Sequence, residues 1–384
     1  MQGRSRTDGF TIIEVLVVVS IIGILLGIML PALGRARDTA LQSVSLSNLR
    51  QISAGLAAYA GDWNDRQPTL IPDDFCKAEG TSPESRCNNY INNIHCMPQP
   101  ILGWANFNGD RSLWGYYIDN GVCSTPGVIE NIRVALPYSG AGETGYFRIM
   151  NHKLFAQYMN DRYYDEVFFA PKDRRKLEKV DEFFDLPDEF NSDLDGEIIE
   201  WPSYCMAASA MISPDAASGK RCDETRSAFD LPEQMCNPCD FPGGYRSPSL
   251  GAAAYPDLKM RVWEHEWLQN CPAGLNPAFT TETPYYFNHS PQSAPASLMY
   301  DGSVRIFSAN EALLSNDRLA RQYDRSGVTY PPGEGNERPG LLWMNDWTGE
   351  DYFEAGKHGF ADEETSFGVL TRGGIKGRDT IGME

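Results

Sequence analysis

The chain has 384 residues, with 52 acidic against 33 basic side chains and a formal net charge of -19. Such an acidic surface argues against nucleic acid and anionic lipid headgroups as partners. Its 18 Tyr, 18 Phe and 8 Trp argue against disorder, and 35 Gly with 25 Pro point to a loop-rich β domain.

The first element is a short polar leader, residues 1–9, carrying Arg4 and Arg6. Gly9-Phe10-Thr11-Ile12-Ile13-Glu14 follows, and then Val15 to Leu33 without a charge. An uncharged run of that length can cross a bilayer as a helix. Glu14 sits just inside it, where a carboxylate is costly in lipid and calls for a function. The leader arginines favour a cytoplasmic N-terminus, although Arg35 and Arg37 beyond the span weaken the bias. Pro31, late in the span, is expected to kink or locally melt the helix. Ala32-Leu33-Gly34 looks like a signal-peptide cleavage site, but the apolar run is too long for a signal peptide.

Apolar positions continue at Leu41, Val44, Leu49, Ile52, Leu56, Tyr59 and Trp63. Their spacing makes one stripe on a helix. The pattern therefore predicts one helix from Phe10 to Asp62, about 80 Å long. Its first half is apolar all round and its second half is amphipathic.

The leader, Gly9-Phe10, Glu14 and the apolar helix together resemble the processing site of type IV pilins and type II secretion pseudopilins. The resemblance implies cleavage between Gly9 and Phe10 by prepilin peptidase, and N-methylation of Phe10. It also implies assembly of the helix into a filament with other pseudopilin subunits. There Glu14 of one subunit would pair with the Phe10 amine of its neighbour. A buried pair of that kind sets register more than it adds stability. The implied location is the inner membrane with a periplasmic domain, then a periplasmic or cell-surface filament.

A second resemblance is to pseudopilin-like proteins with a C-terminal His-x9-Asp-Gly signature. Asn48-Leu49-Arg50-Gln51-Ile52 is similar to the end of their helix. Their pattern has Cys three residues earlier, where this chain has Ser45. Val167-Phe168-Phe169-Ala170-Pro171-Lys172-Asp173 resembles their Phe-x-Cys-Pro-x-Asp segment, with Ala170 in place of Cys. Pro202-Ser203-Tyr204 resembles their Ser-Tyr strand. His289, Asp301 and Gly302 resemble the signature, with eleven residues in place of nine.

The globular part begins near Gly61. Arg133–Pro137, Glu166–Phe169, Met260–Trp263, Leu298–Tyr300 and Val304–Phe307 read as short strands. Asp301-Gly302 between apolar runs predicts a β-hairpin over Leu298–Phe307. Asn151–Asn160 and Val180–Phe184 read as short helices. The insertions 73–125 and 214–250 read as surface loops. They hold most of the nine Cys: Cys76, Cys87, Cys96, Cys123, Cys205, Cys222, Cys236, Cys239 and Cys271. In an exported domain these read as disulfides, with Cys205, isolated in sequence, as the odd one. Cys236-Asn-Pro-Cys239 lacks a second ligand pair at zinc spacing. A helix-like stretch runs from Asn310 to Tyr323, and 341–384 has no assignable element.

The expected fold class is α+β: a long N-terminal helix, half transmembrane and half amphipathic, packed on an antiparallel β-sheet with disulfide-stapled loops. The expected organisation is leader 1–9, transmembrane and assembly helix 10–33, amphipathic continuation 34–62, pilin-like domain 63–310 and C-terminal extension 311–384.

Catalytic motifs are missing: there is no His-Glu-x-x-His, Gly-x-Ser-x-Gly or P-loop. His289 with Asp301 suggests an acid/base pair, but Asp-Gly is explained by the turn alone. No enzyme activity is expected. Asn191, Asp193, Asp195 and Gly196 resemble the first half of a calcium loop, but the twelfth position is Pro202. Calcium at Asp193 and Asp195 competes with a solvated acidic turn, and no other cofactor is expected. Two alternatives to the filament subunit remain: a membrane-anchored periplasmic module binding glycans through surface aromatics, and a hydrolase around His289.

Overall fold

The computed structural model describes residues 11–69, 73, 77–79, 89, 101–107, 110–116, 128–130, 150, 153–162, 164–185, 191–192, 202–207, 210–211, 213–214, 243–244, 246–264, 295–307, 311, 314–315, 318 and 374–381. One helix, α1 (Ile12–Asp62), runs for 51 residues. It continues through Pro31 without a break, where the sequence suggested a kink or local melting. It stops where two consecutive residues, Asn64 and Asp65, take left-handed backbone at φ 54 and 61°. Asn and Asp tolerate that conformation better than other non-glycine residues.

Every residue from Thr11 to Ala40 is exposed, whereas Leu49, Ile52 and Leu56 are wholly buried. Burying each of those three side chains contributes roughly 1.5–3 kcal/mol. The predicted stripe holds at Leu49, Ile52, Leu56 and Tyr59 but not at Val44 or Trp63, which stay half exposed. Two polar residues, Ser45 and Asn48, take buried places instead. Gly55 lets α2 (Lys153–Ala156) and the turn after it approach closely. A Cβ at residue 55 would collide with Met159 Sδ and crowd the Phe155 ring at 3.3 Å.

The sheet against this helix is an antiparallel meander of β5 (Tyr204–Met206), β6 (Met260–Glu264), β7 (Ala296–Met299) and β8 (Val304–Ile306), in that order. Every residue of β5, β6 and β7 is buried. Since side chains alternate between faces, the sheet is covered on both sides. Tyr204 and Glu264, opposite each other in register, face α1. Cys205 and Trp263 point away from it. The hairpin between β7 and β8 turns at Asp301-Gly302 as predicted. Gly302 has φ +83°, and Asp301 Oδ1 accepts from the Ser303 amide at 2.8 Å.

Two readings change. Glu166–Phe168, expected as a strand, is a 3-10 turn: Asp165 caps it by accepting from the Val167 amide at 2.9 Å. Its aromatic run packs inward rather than pairing. The predicted helix at Val180–Phe184 starts earlier, as α3 (Arg174–Phe184), with Asp173 at its N-cap.

The insertion 73–125, read as a surface loop, contains the central hairpin of a second sheet. β1 (Ile101–Phe107) and β2 (Asp110–Tyr116) form an antiparallel hairpin. β3 (Val128–Glu130) and β4 (Asn191–Ser192) flank it in parallel, giving the order β3-β2-β1-β4. Among the described residues there is no disulfide. Cys205 is a buried thiol in β5, and the other eight Cys lie outside the described residues. The fold is thus α+β, with a long N-terminal helix on an antiparallel sheet. The disulfide staples remain an expectation.

Candidate functional site: the N-terminal helix and its junction with the sheet

The helix starts with a reciprocal capping box. Thr11 donates to Glu14 Oε2 from both its backbone amide and its hydroxyl, each at 2.8 Å. The Glu14 amide in turn donates to Thr11 Oγ1 at 3.3 Å. This pattern satisfies amides that a helix N-terminus otherwise leaves unpaired. It also gives the Glu14 carboxylate two donors within its own chain, in a stretch where an unpaired charge is expensive. Ser20 Oγ likewise donates to the Leu16 carbonyl at 2.7 Å, so its hydroxyl is not bare among apolar neighbours.

From Ile12 to Leu33 the helix presents apolar side chains on every face. Ile12 is 87% and Leu33 67% exposed. The segment is long and apolar enough to cross a membrane. At 1.5 Å per residue, 12–33 spans about 33 Å, close to the ~30 Å of a bilayer core. Among the described residues none buries this surface, which leaves it available to lipid or to other helices.

Below it, a buried polar knot ties the helix to the sheet. Ser45 Oγ donates to Glu264 Oε1 at 2.5 Å, and the Ala296 amide donates to Glu264 Oε2 at 3.2 Å. Asn48 Nδ2 donates to the Phe169 carbonyl at 3.3 Å and to Tyr204 Oη at 3.4 Å. Burial and the Glu264 charge hold the Tyr204 phenol well above its ordinary range. Ser203 Oγ donates to Asp173 Oδ2 at 2.8 Å, and its amide to the Phe168 carbonyl at 3.0 Å. Asn48, the 167–173 segment and Pro202-Ser203-Tyr204, three stretches far apart in sequence, therefore meet at one junction. The Asp301-Gly302 turn sits over the same helix, with Ser53 Oγ 3.9 Å from where a Gly302 Cβ would be.

A family model described as the prokaryotic N-terminal methylation motif matches residues 4–30. Its N-terminus is that of a type IV pilin-like prepilin. The motif implies processing by prepilin peptidase and assembly with other pilin subunits, and the apolar helix is consistent with a single-pass membrane anchor. Pilin-like prepilins are structural subunits rather than enzymes. No curated protein and no solved structure matches the chain.

Several predicted site residues of this chain, Gly9, Phe10, His289, Asp193 and Asp195, lie outside the described residues. Glu14 stands at the helix start as expected, and Asp301 and Gly302 form the turn. Among the described residues no three His, Cys, Asp or Glu side chains converge as a metal site would require. Sequence reasoning missed Glu264, whose two oxygens meet Ser45 and the Ala296 amide only in the folded chain. It also missed Ser45 as its partner, for which a polar residue one place off the apolar stripe was the available signal.

Proposed function

We propose that this chain is a pseudopilin-like subunit of a type II secretion pseudopilus or a related type IV filament. The observation that carries the reading is the bare apolar helix from Ile12 to Leu33, fused without a break to a helix half locked into a folded head. A plain anchor needs no such rigid continuation, whereas a filament subunit uses it to set the head at a fixed height. In this account prepilin peptidase cuts between Gly9 and Phe10, and Phe10 is N-methylated. Glu14 is then passed from its own Thr11 to the Phe10 amine of the next subunit. The size of the head suits a minor, tip or decorated subunit.

The test is Glu14→Leu. The variant keeps its anchor and its cleavage site but leaves the neighbour's amine unpaired in the bundle, at a cost of about 3 kcal/mol or more per subunit. The ratio of sheared filament to membrane-bound protein should fall well below that of wild type. An unchanged ratio would remove Glu14 from the assembly mechanism.

One observation favours a second reading, a glycan-binding module anchored in the membrane. Trp63 is 49% exposed and stacks on Tyr59 at 5.6 Å. A glycan array on wild type and Trp63→Ala separates the two: Trp63-dependent binding supports the module, and its absence leaves the filament subunit.

A further inference from the structure

The segment 374–381 returns to the sheet and lies against the first residues of β6. Lys259 Nζ lies 3.2 Å from Asp379 Oδ1, and both side chains are completely buried. The Met260 amide donates to Asp379 Oδ2 at 2.7 Å, and the Asp379 amide donates to the Leu258 carbonyl at 2.9 Å. Ile375 is wholly buried, and Thr380 Oγ1 meets Ser315 Oγ at 2.9 Å. The strap 374–381 is therefore pinned through one carboxylate to an amine 120 residues away in the chain.

We propose that Lys259 Nζ and Asp379 Cγ condense into an intramolecular amide that fastens the C-terminal strap covalently to β6. Four features of the site favour this step. The amine is already in contact with the carboxyl group, which gives the reaction a large effective concentration. The pair is shielded from water, so the product is protected from hydrolysis. One carboxyl oxygen holds a backbone amide, which can stabilise the oxyanion of a tetrahedral intermediate. Burial also lowers the Lys259 pKa, with the Asp379 charge opposing it.

The step balances without another reactant. A proton passes from the Lys259 ammonium to the Asp379 carboxylate, giving amine and carboxylic acid. Nζ attacks Cγ, the C–N bond forms, and negative charge gathers on Oδ2 against the Met260 amide. A second proton moves from Nζ to Oδ1, the Cγ–Oδ1 bond breaks, and one water leaves. Two buried charges are exchanged for a neutral amide, which removes the desolvation penalty of the ion pair. The product closes a large covalent ring through β6, the hairpin and the strap. A subunit under traction from a filament or a secreted cargo gains resistance to unfolding from such a ring.

The experiment is mass spectrometry of the full chain, purified in detergent, reduced and denatured. Wild type should be lighter by one water than its sequence requires, after allowance for processing at the N-terminus. Proteolysis should yield a branched peptide joining the Lys259 and Asp379 segments, assigned by fragmentation. Lys259→Arg and Asp379→Ala should have full mass and no branched peptide. Asp379→Asn should give the same branched peptide by loss of ammonia. Wild-type protein yielding only the two linear peptides overturns the proposal, whether or not the variants fold. A water lost from Lys259→Arg, or a branch at other residues, overturns it as well.

Discussion

Glu264 is the residue on which the junction between helix and sheet depends. Its side chain is 4% exposed, and its two oxygens accept from Ser45 on α1 and from the Ala296 amide on β7. Replacing it with Leu removes both acceptors and leaves a buried hydroxyl and a buried amide without them. A hydrogen bond to a charged group contributes about 1.5–3 kcal/mol. Taking the lower figure for each bond, Glu264→Leu should cost roughly 3 kcal/mol. That is a large share of a total stability on the order of 5–15 kcal/mol. It should lower the melting temperature of a fragment beginning at residue 34 by roughly 4 °C. Glu264→Gln, which keeps the shape and one acceptor, should lose less. Ser45→Ala, which removes one of the two bonds, should lose about 1.5 kcal/mol. In a double-mutant cycle with Ser45→Ala, the two losses should fall short of additivity, because they share one bond. Urea unfolding of the four proteins measures all of this. A Glu264→Leu variant as stable as wild type, or strictly additive losses, would refute the polar knot.

Three further outcomes follow from the same structure. Gly302→Ala forces a side chain to φ +83° in the hairpin turn and should cost roughly 1–2 kcal/mol in urea unfolding without loss of the fold. Alkaline conditions should destabilise the domain. Burial raises the Tyr59 phenol to about 12, and Tyr204 and Tyr300 are also raised chiefly by burial. In the unfolded chain these groups ionise near 10. Their contribution is thus intact below pH ~10 and is lost as pH rises through the folded values, so the midpoint of urea unfolding should fall between pH ~10 and ~12. Finally, exported protein denatured without reductant should expose one reactive thiol, that of Cys205, or very few. Alkylation of most of the nine Cys would show that the exported domain is not oxidised.

The helix was legible because its signal is local: an uninterrupted apolar run, good helix formers beyond it, and a stripe of helical period. The Asp301-Gly302 hairpin was legible because two residues suffice to specify a turn. The hairpin of β1 and β2 carried a similar signal in Asn108-Gly109, hidden in a segment judged by its Cys and Pro content. Val167-Phe168-Phe169 read as strand because its residues have β propensity. Asp165, by capping a turn, overrides that preference, and the aromatic side chains are satisfied by core packing instead. The Ser45–Glu264 bond spans 219 residues and the Lys259–Asp379 pair 120. Neither has a local signature, because a serine on a helix and an aspartate in a glycine-rich tail are each ordinary. The meeting of Asn48, Asp173, Ser203 and Tyr204 lies between these cases. Their order along the chain was readable as a resemblance, whereas the hydrogen bonds that explain it needed coordinates.

The central claim is that the chain is a prepilin matured for assembly. Its most direct test is the mass and sequence of the N-terminus after expression with an active prepilin peptidase. The account predicts a chain that begins at Phe10 with one methyl group on its α-amine, and a Gly9→Leu variant that keeps the leader. A chain that still begins at Met1 in the presence of the peptidase, or one cut at Arg35 by signal peptidase, would contradict it.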